Sequence, residues 1–226
     1  MTVKKHTFLT ALTSVCFTLF LISLAVVVTL NFRPLYYHDM KQMQLSQLSG
    51  LSEEEIKENY DVLIDYNSMF YQGELNLPTL PMSESGRIHF EEVRRIFVSV
   101  QYLCLVSFLS CLGLTVVSVR QKTGWKFLKF SSLLTVILPV VLGVLIAWNW
   151  DRFFVTFHHL FFRNDYWIFD PKTDPIITIL PDTFFLHCAL MILICVVASS
   201  LLMAILYYVL TKSSYKSSLK NGPASP

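Results

Sequence analysis

Charge is what this chain has least of. Only 15% of its 226 residues are Asp, Glu, Lys or Arg, against about 25% in ordinary soluble domains. Four stretches hold none of the four: Thr7 to Phe32 (26 residues), Ile96 to Val119 (24), Phe130 to Trp150 (21) and Thr183 to Thr211 (29). A spanning helix needs about 20 apolar residues at 1.5 Å rise each, so all four are long enough to cross a bilayer. Glycine is also scarce. The seven present form neither GxGxxG nor GxxxxGK[ST], so there is no nucleotide cradle. GxSxG and HExxH are absent, as is any CxxC pair. The spans contain one imidazole, His187, near one end of the fourth, and no ionisable group near mid-depth, which speaks against a proton-coupled carrier. With 54% hydrophobic residues, mean hydropathy +0.52 and net charge +2, the composition excludes a soluble enzyme, a nucleic-acid binder and a secreted disulfide scaffold.

What charge there is has a direction. Residues 1–6, 120–129 and 212–226 carry 9 basic residues and no acidic one, whereas 33–95 and 151–182 hold all 16 acidic residues and the other 9 basic ones. Short, purely positive segments stay in the cytoplasm. Both termini are therefore expected inside, with the two longer loops outside. Lys4, Lys5 and His6 precede a run longer than a signal h-region with no cleavage site near Asn31, so the first span reads as an uncleaved anchor. All five cysteines (Cys16, Cys104, Cys111, Cys188, Cys195) fall in spans and read as packing. The Ser- and Lys-rich tail after Lys212 reads as disordered against anionic lipid.

The first external loop opens on Pro34 and a Tyr36-Tyr37 pair. Ser52-Glu53-Glu54-Glu55 spells a capping box, and Ile56, Tyr60, Leu63, Ile64 and Phe70 continue at helical spacing to about Tyr71. Gly73 to Gly86, with Pro78 and Pro81, suits extended edges and turns. The second external loop carries eight aromatics among the 18 residues Arg152 to Phe169. Thr156 to Phe162, Tyr166 to Phe169 and the β-branched Ile176 to Leu180 predict three strands. So much apolar surface must be covered by the first loop, by the leaflet or by an acylated substrate.

Chemistry outside the membrane falls to histidine: His38, His89, His158 and His159. In Arg87-Ile88-His89-Phe90-Glu91-Glu92, a helix puts Glu92 one turn from His89, where its carboxylate can hold the imidazole tautomer. The plainer reading makes His89 an interfacial residue beside a charge cluster that stops the span. On a strand, His158 and His159 point to opposite faces, and the spacing does not choose between them. A metal site from His89, one of that pair and Asp165 lacks ligand spacing. Asp170-Pro171 and Asp174-Pro175 read as turn caps.

These motifs carry a family resemblance. Four spans, a first external loop ending in His-x-x-acid-Val before span 2, and a second loop with Phe157-His158-His159-Leu160-Phe161-Phe162-x-Asn164-Asp165-x-Trp167-x-x-Asp170-Pro171-x-x-Asp174, then Pro181 and Phe184-Phe185, resemble the bacterial lipoprotein intramolecular transacylase family, Lit, over nearly the whole chain. The resemblance implies an α-helical membrane protein: a four-helix transmembrane bundle with both termini cytoplasmic, capped by an extracellular β-rich cradle built from the two external loops. It implies a plasma-membrane enzyme of low-GC Gram-positive bacteria. The sn-2 acyl chain of a diacylglyceryl lipoprotein moves to the α-amine of its N-terminal cysteine, giving the lyso-form.

By motif position the two essential histidines fall on His89 and His158, leaving His159 variable, with Glu92 where the family has an acid. Tyr66, Arg95, Asn164 and Trp167 are expected to position substrate. The implied partners are the lipoprotein and membrane lipids; no metal or cofactor is implied, and oligomeric state is left open. Competing classes are a non-catalytic sensor or scaffold with a lipid- or partner-binding loop, and a head-group hydrolase or intermolecular acyltransferase. Histidine substitutions separate the first, which tolerates them. Chain counting separates the second, since intermolecular transfer leaves three acyl chains on the lipoprotein and intramolecular transfer conserves two.

Overall fold

The computed structural model describes residues 2–220. Its helices are α1 (Thr2–Asn31), α2 (Arg33–Gln42), α3 (Leu45–Ser49), α4 (Glu53–Tyr66), α5 (Glu84–Arg120), α6 (Lys126–Trp148), α7 (Trp150–Phe161) and α8 (Asp182–Lys220), with a 3₁₀ turn at Pro175–Ile179. Among them α1, α5, α6 and α8 are long and apolar enough to cross a membrane. Their surfaces carry Leu19, Val106, Leu133, Ile137, Ile194 and Leu201 exposed, a distribution that suits lipid rather than water. The segment Lys212–Lys220, expected to be disordered, continues α8; residues 221–226 of that tail lie outside the described residues.

Two compact units divide the chain. The first comprises Met1–Ala25, Leu103–Leu142 and Leu193–Pro226. Leu21, Phe127, Leu128 and Met203 form its core, and small hydroxyl residues knit its helices: Ser14 Oγ donates to the Phe127 carbonyl (3.2 Å) and Ser200 Oγ to that of Ser132 (2.8 Å). Small side chains allow backbones to approach where lipid supplies no hydrophobic drive between helices.

The second unit comprises Val26–Tyr102 and Gly143–Ile192. Its core stacks Tyr36 on Tyr60 (centroids 3.5 Å, 7°) with Phe184 edge-on to both, and the Tyr36 hydroxyl donates to the Ile179 carbonyl at 2.8 Å. The capping box opens α4: Glu55 N–H donates to Ser52 Oγ (3.2 Å) and Ser52 N–H to Glu55 Oε2 (2.8 Å).

The β-rich cradle is not what forms here; among the described residues there is no strand. Thr156 to Phe161 lies in α7, which Asn149 starts by accepting from Arg152 N–H at 2.8 Å. The aromatic run that reads as strand also repeats at helical spacing, Trp150, Phe154, Phe157 and Phe161, and that period wins over the β-propensity of individual residues. Tyr166 to Phe169 is a turn, with Ile168 N–H donating to the Asp165 carbonyl (3.0 Å). Ile176 to Ile179 is the 3₁₀ turn because Pro175 fixes the first helical φ and Asp174 offers its carbonyl to Ile177 N–H (3.2 Å).

Candidate active site

Three contacts fix the start of α5. Asp174, buried at 2% exposure, accepts from Ser83 N–H at 2.7 Å, and Ser83 Oγ in turn accepts from Gly86 N–H at 3.0 Å. A Cβ on Gly86 would stand 2.3 Å from Asp174 Oδ1 and 3.2 Å from a ring carbon of Phe169, so only glycine lets the helix come this close. Asp174 thus does more than cap a turn: its carboxylate sits at the positive end of α5. The first three turns of α5 carry Glu84, Arg87, Glu91, Glu92, Arg94 and Arg95 and so lie outside hydrocarbon, with the apolar run beginning at Ile96.

One turn in, His89 is 5% exposed and walled by Phe162 (4.7 Å), Phe169 (5.4 Å) and Phe90 (5.8 Å). The second histidine comes from α7. The His158 ring lies 6.3 Å from that of His89 at 28°, packed between Phe154 (4.3 Å) and Trp167 (4.5 Å, 30°). Residues 69 apart in sequence are therefore brought into one aromatic box. His159 is exposed and meets only the edge of Trp167, at 5.6 Å and 88°. Because this segment is helical, the neighbouring histidines diverge by about 100° rather than pointing oppositely.

Proton placement follows from the partners. His158 Nδ1 is 2.8 Å from the Phe154 carbonyl, which can only accept, so the proton is on Nδ1 and Nε2 keeps its lone pair. His89 Nδ1 is buried with no hydrogen-bond partner. An unpartnered ring acceptor costs less than an unpartnered N–H, so this environment favours the His89 proton on Nε2. The pair thus offers one acceptor and one donor. Burial, and then the neighbouring His158, pull His89 down to about 4. Burial likewise lowers His158, partly offset by the Phe154 carbonyl. Burial thus favours the neutral form of both rings.

Glu92 gives its carboxylate to Asn164, whose Nδ2 donates to Oε1 (3.0 Å) and Oε2 (3.2 Å). Asn164 Oδ1 accepts from Tyr166 N–H (3.1 Å), so this link ties the Trp167 turn to α5. The Trp167 indole N–H is buried without a partner. Tyr66 and Arg95 meet elsewhere, with Glu91, Arg94 and Tyr102 around a cavity of about 460 Å³. Positions 91, 95, 98 and 102 lie across α5 from 89 by helical period. Among the described residues no set of three His, Cys, Asp or Glu converges as metal ligands.

Sequence reasoning missed Gly86, Asp174, Phe162 and Phe169 as builders of the box, and the buried Asp39 that meets His187 Nδ1 at 2.7 Å. The X-Pro context of Asp174 explained it too cheaply.

A model of the family described as lipoprotein intramolecular transacylase Lit matches residues 11–185. Among solved structures, the membrane-integral lipoprotein intramolecular transacylase Lit from Bacillus cereus is 39% identical with a TM-score of 0.91, over 94% of this chain and 99% of that one. Two further structures of the Bacillus cereus protein each have one histidine replaced. The arginine variant is 39% identical with a TM-score of 0.86, over 95% of both chains. The alanine variant is 38% identical with a TM-score of 0.86, over 94% of this chain and 96% of that one. A search of curated proteins gave no match.

Proposed function

The chain belongs to the lipoprotein intramolecular transacylase family, and from that premise we propose that His158 and His89 are the base and the acid of its acyl transfer. The protein is a membrane acyltransferase that moves the sn-2 acyl chain of a diacylglyceryl lipoprotein to the α-amine of the N-terminal cysteine. The observation that carries the assignment of roles is the approach of the two imidazoles, ring centroids 6.3 Å apart, with His158 Nδ1 held on the Phe154 carbonyl and His89 Nδ1 buried without a partner.

An α-amine with pKa about 7.7–8.0 is mostly protonated at neutral pH and needs a base before it can attack. His158 Nε2 takes its proton. The amine nitrogen bonds to the sn-2 ester carbon, and the His89 Nε2–H stabilises the oxyanion, as a neutral imidazole can. The C–O bond then breaks, and the glyceryl oxygen leaves with a proton relayed through the pair. The products are an amide and a free glyceryl hydroxyl: of the two protons the ammonium group loses, one ends on that hydroxyl and the other leaves His158 for water, which restores the neutral base. Amine and ester belong to one molecule, and folding them together supplies several kcal/mol by effective molarity.

Trp167 and the Glu92–Asn164 link keep His158 and the turn beside it in register with α5. Tyr66 and Arg95, across α5, engage parts of the lipoprotein remote from the reacting atoms. The positive-only segments 1–6, 120–129 and 212–226 support cytoplasmic termini and an extracellular active site. That topology gives spans within 1–32, 96–119, 130–150 and 183–211 and external loops 33–95 and 151–182. Substrate with tethered acyl chains enters laterally from the leaflet.

Mass spectrometry of lipoprotein N-terminal peptides tests the proposal in cells that make the wild-type chain, His89→Gln or His158→Gln. The wild type gives N-acyl, S-monoacylglyceryl peptides, and either variant leaves the diacylglyceryl form. Lyso-form peptides at wild-type level in both variants would refute the assignment.

A further inference from the structure

Helix α7 has no buried residue, yet it carries His158. Three flanks run along it. Trp150, Phe154 and His158, at i, i+4 and i+8, meet the protein: Phe154 lies 5.8 Å from Phe185 and His158 lies against Trp167. Asp151, Arg152, Thr156 and His159 are polar and exposed, with Val155 the one apolar residue among them. The third flank, Phe153, Phe157, Leu160 and Phe161 at i, i+4, i+7 and i+8, is wholly apolar; Leu160 is 77% exposed and Phe161 49%.

We propose that α7 is a membrane-surface helix whose Phe153–Phe157–Leu160–Phe161 stripe inserts among the acyl chains of the leaflet at which α6 ends, and that this seating sets the depth of His158. Continuity with the span names the occupant. Only Asn149 separates α6 from α7, and at φ −161° and ψ 103° it is extended, so α7 leaves the direction of α6 where the apolar run ends. Trp148, 83% exposed, and Trp150 bracket that point, as tryptophans do at the lipid–water boundary. An amphipathic helix with Phe and Leu on one flank and charge on another lies in the interfacial plane. His158 falls by helical period at the border between the two flanks. With the stripe in acyl chains and the polar flank in water, its imidazole stands at the level of the glyceryl esters. This consequence for catalysis rests on the transacylase reading; the seating itself does not.

The test uses the full chain in phosphatidylcholine vesicles, with tryptophan introduced by Leu160→Trp or Thr156→Trp and its emission taken as the increment over the four native tryptophans. Bromines on the upper acyl chain quench the Leu160→Trp increment and iodide in the water does not; Thr156→Trp shows the reverse. Equal access of iodide to both overturns the seating. In the same vesicles Leu160→Glu lowers transacylation of a diacylated lipopeptide by about tenfold or more, since a 1 Å misplacement can cost about 10²-fold, whereas Leu160→Phe keeps it. Wild-type turnover in Leu160→Glu, with the bromine result standing, overturns the depth role alone. Loss confined to long-chain substrates, with the Leu160→Trp increment open to iodide, assigns the stripe to the substrate's own chain and overturns the proposal. Turnover surviving in His158→Gln would instead count against the catalytic role of His158 on which the depth argument rests, whatever the quenching shows.

Discussion

The two histidines are held in contrasting ways. His89 sits where α5 is pinned from several sides: Asp174 on the Ser83 amide just before it, Gly86 giving room for that carboxylate, Phe162 and Phe169 closing over the ring. His158 rides a surface helix with no buried residue, held by a stack on Trp167 and a bond to the carbonyl one turn back. One ring is set by packing and stays dry and neutral. The other is set by a few contacts and remains half-buried, open enough to meet a substrate and collect a proton. A donor that stabilises charge gains from rigidity and exclusion of water, whereas a base must reach the amine.

Removing either imidazole is the harshest way to break this contrast. His158→Gln and His89→Gln are each expected to lower turnover by about 10²- to 10⁴-fold, measured on purified protein with a diacylglyceryl-cysteinyl peptide. His158→Gln lowers the melting temperature less than His89→Ala, because the His158 ring is half-buried whereas loss of the His89 ring opens a hole in the box. Gly86→Ala tests the pinned region alone. The new methyl must displace Asp174 or Phe169, which costs about 1–3 kcal/mol; thermal unfolding should shift down and activity fall, with the substrate KM less affected than kcat. Asn164→Asp places a second carboxylate against Glu92 and should loosen the Trp167 turn. A fall of roughly tenfold in kcat, recovered in Glu92→Gln/Asn164→Asp, would show that the link acts through charge and hydrogen bonding.

Acid sharpens the comparison further. A histidine whose folded value lies below its unfolded one binds its proton more readily in the unfolded chain. Stability is therefore complete above the unfolded value of about 6.5 and falls as pH drops toward the folded value. For His89 that window runs down to about 4. His158 adds to it in the same direction, and His89→Gln should flatten the acid limb of a melting-temperature profile. Turnover should climb from pH 5 to 8, first as imidazole and then as substrate amine lose protons. The smallest effect belongs to His159→Ala, within about twofold of wild type, because that ring is exposed on the polar flank of α7.

Much of this was legible in the sequence, for physical reasons that differ by region. The four spans announce themselves because lipid forbids charge over 20 residues, and the Ser52 box because an N-terminus has few ways to satisfy its amides. His89 stands out beside its charge cluster, and the likeness of the second loop to a family picks His158 over His159. The aromatic loop misleads because Phe, Trp and Tyr favour strands in general, while here their spacing fits a helix seated on an apolar medium that propensity does not include. Asp174 was hidden for a related reason: an Asp-Pro pair has a local explanation, and only the fold brings the Ser83 amide, 91 residues away, to its oxygen.

The division of labour between the two histidines turns on which nitrogen of each ring holds the proton. Nitrogen-15 NMR of imidazole-labelled protein in lipid at pH 7, with His89→Gln and His158→Gln assigning the signals, reads this directly. The expected result is two neutral rings of opposite tautomer, His158 protonated at Nδ1 and His89 at Nε2. The same tautomer on both, or an imidazolium at either position, would contradict it.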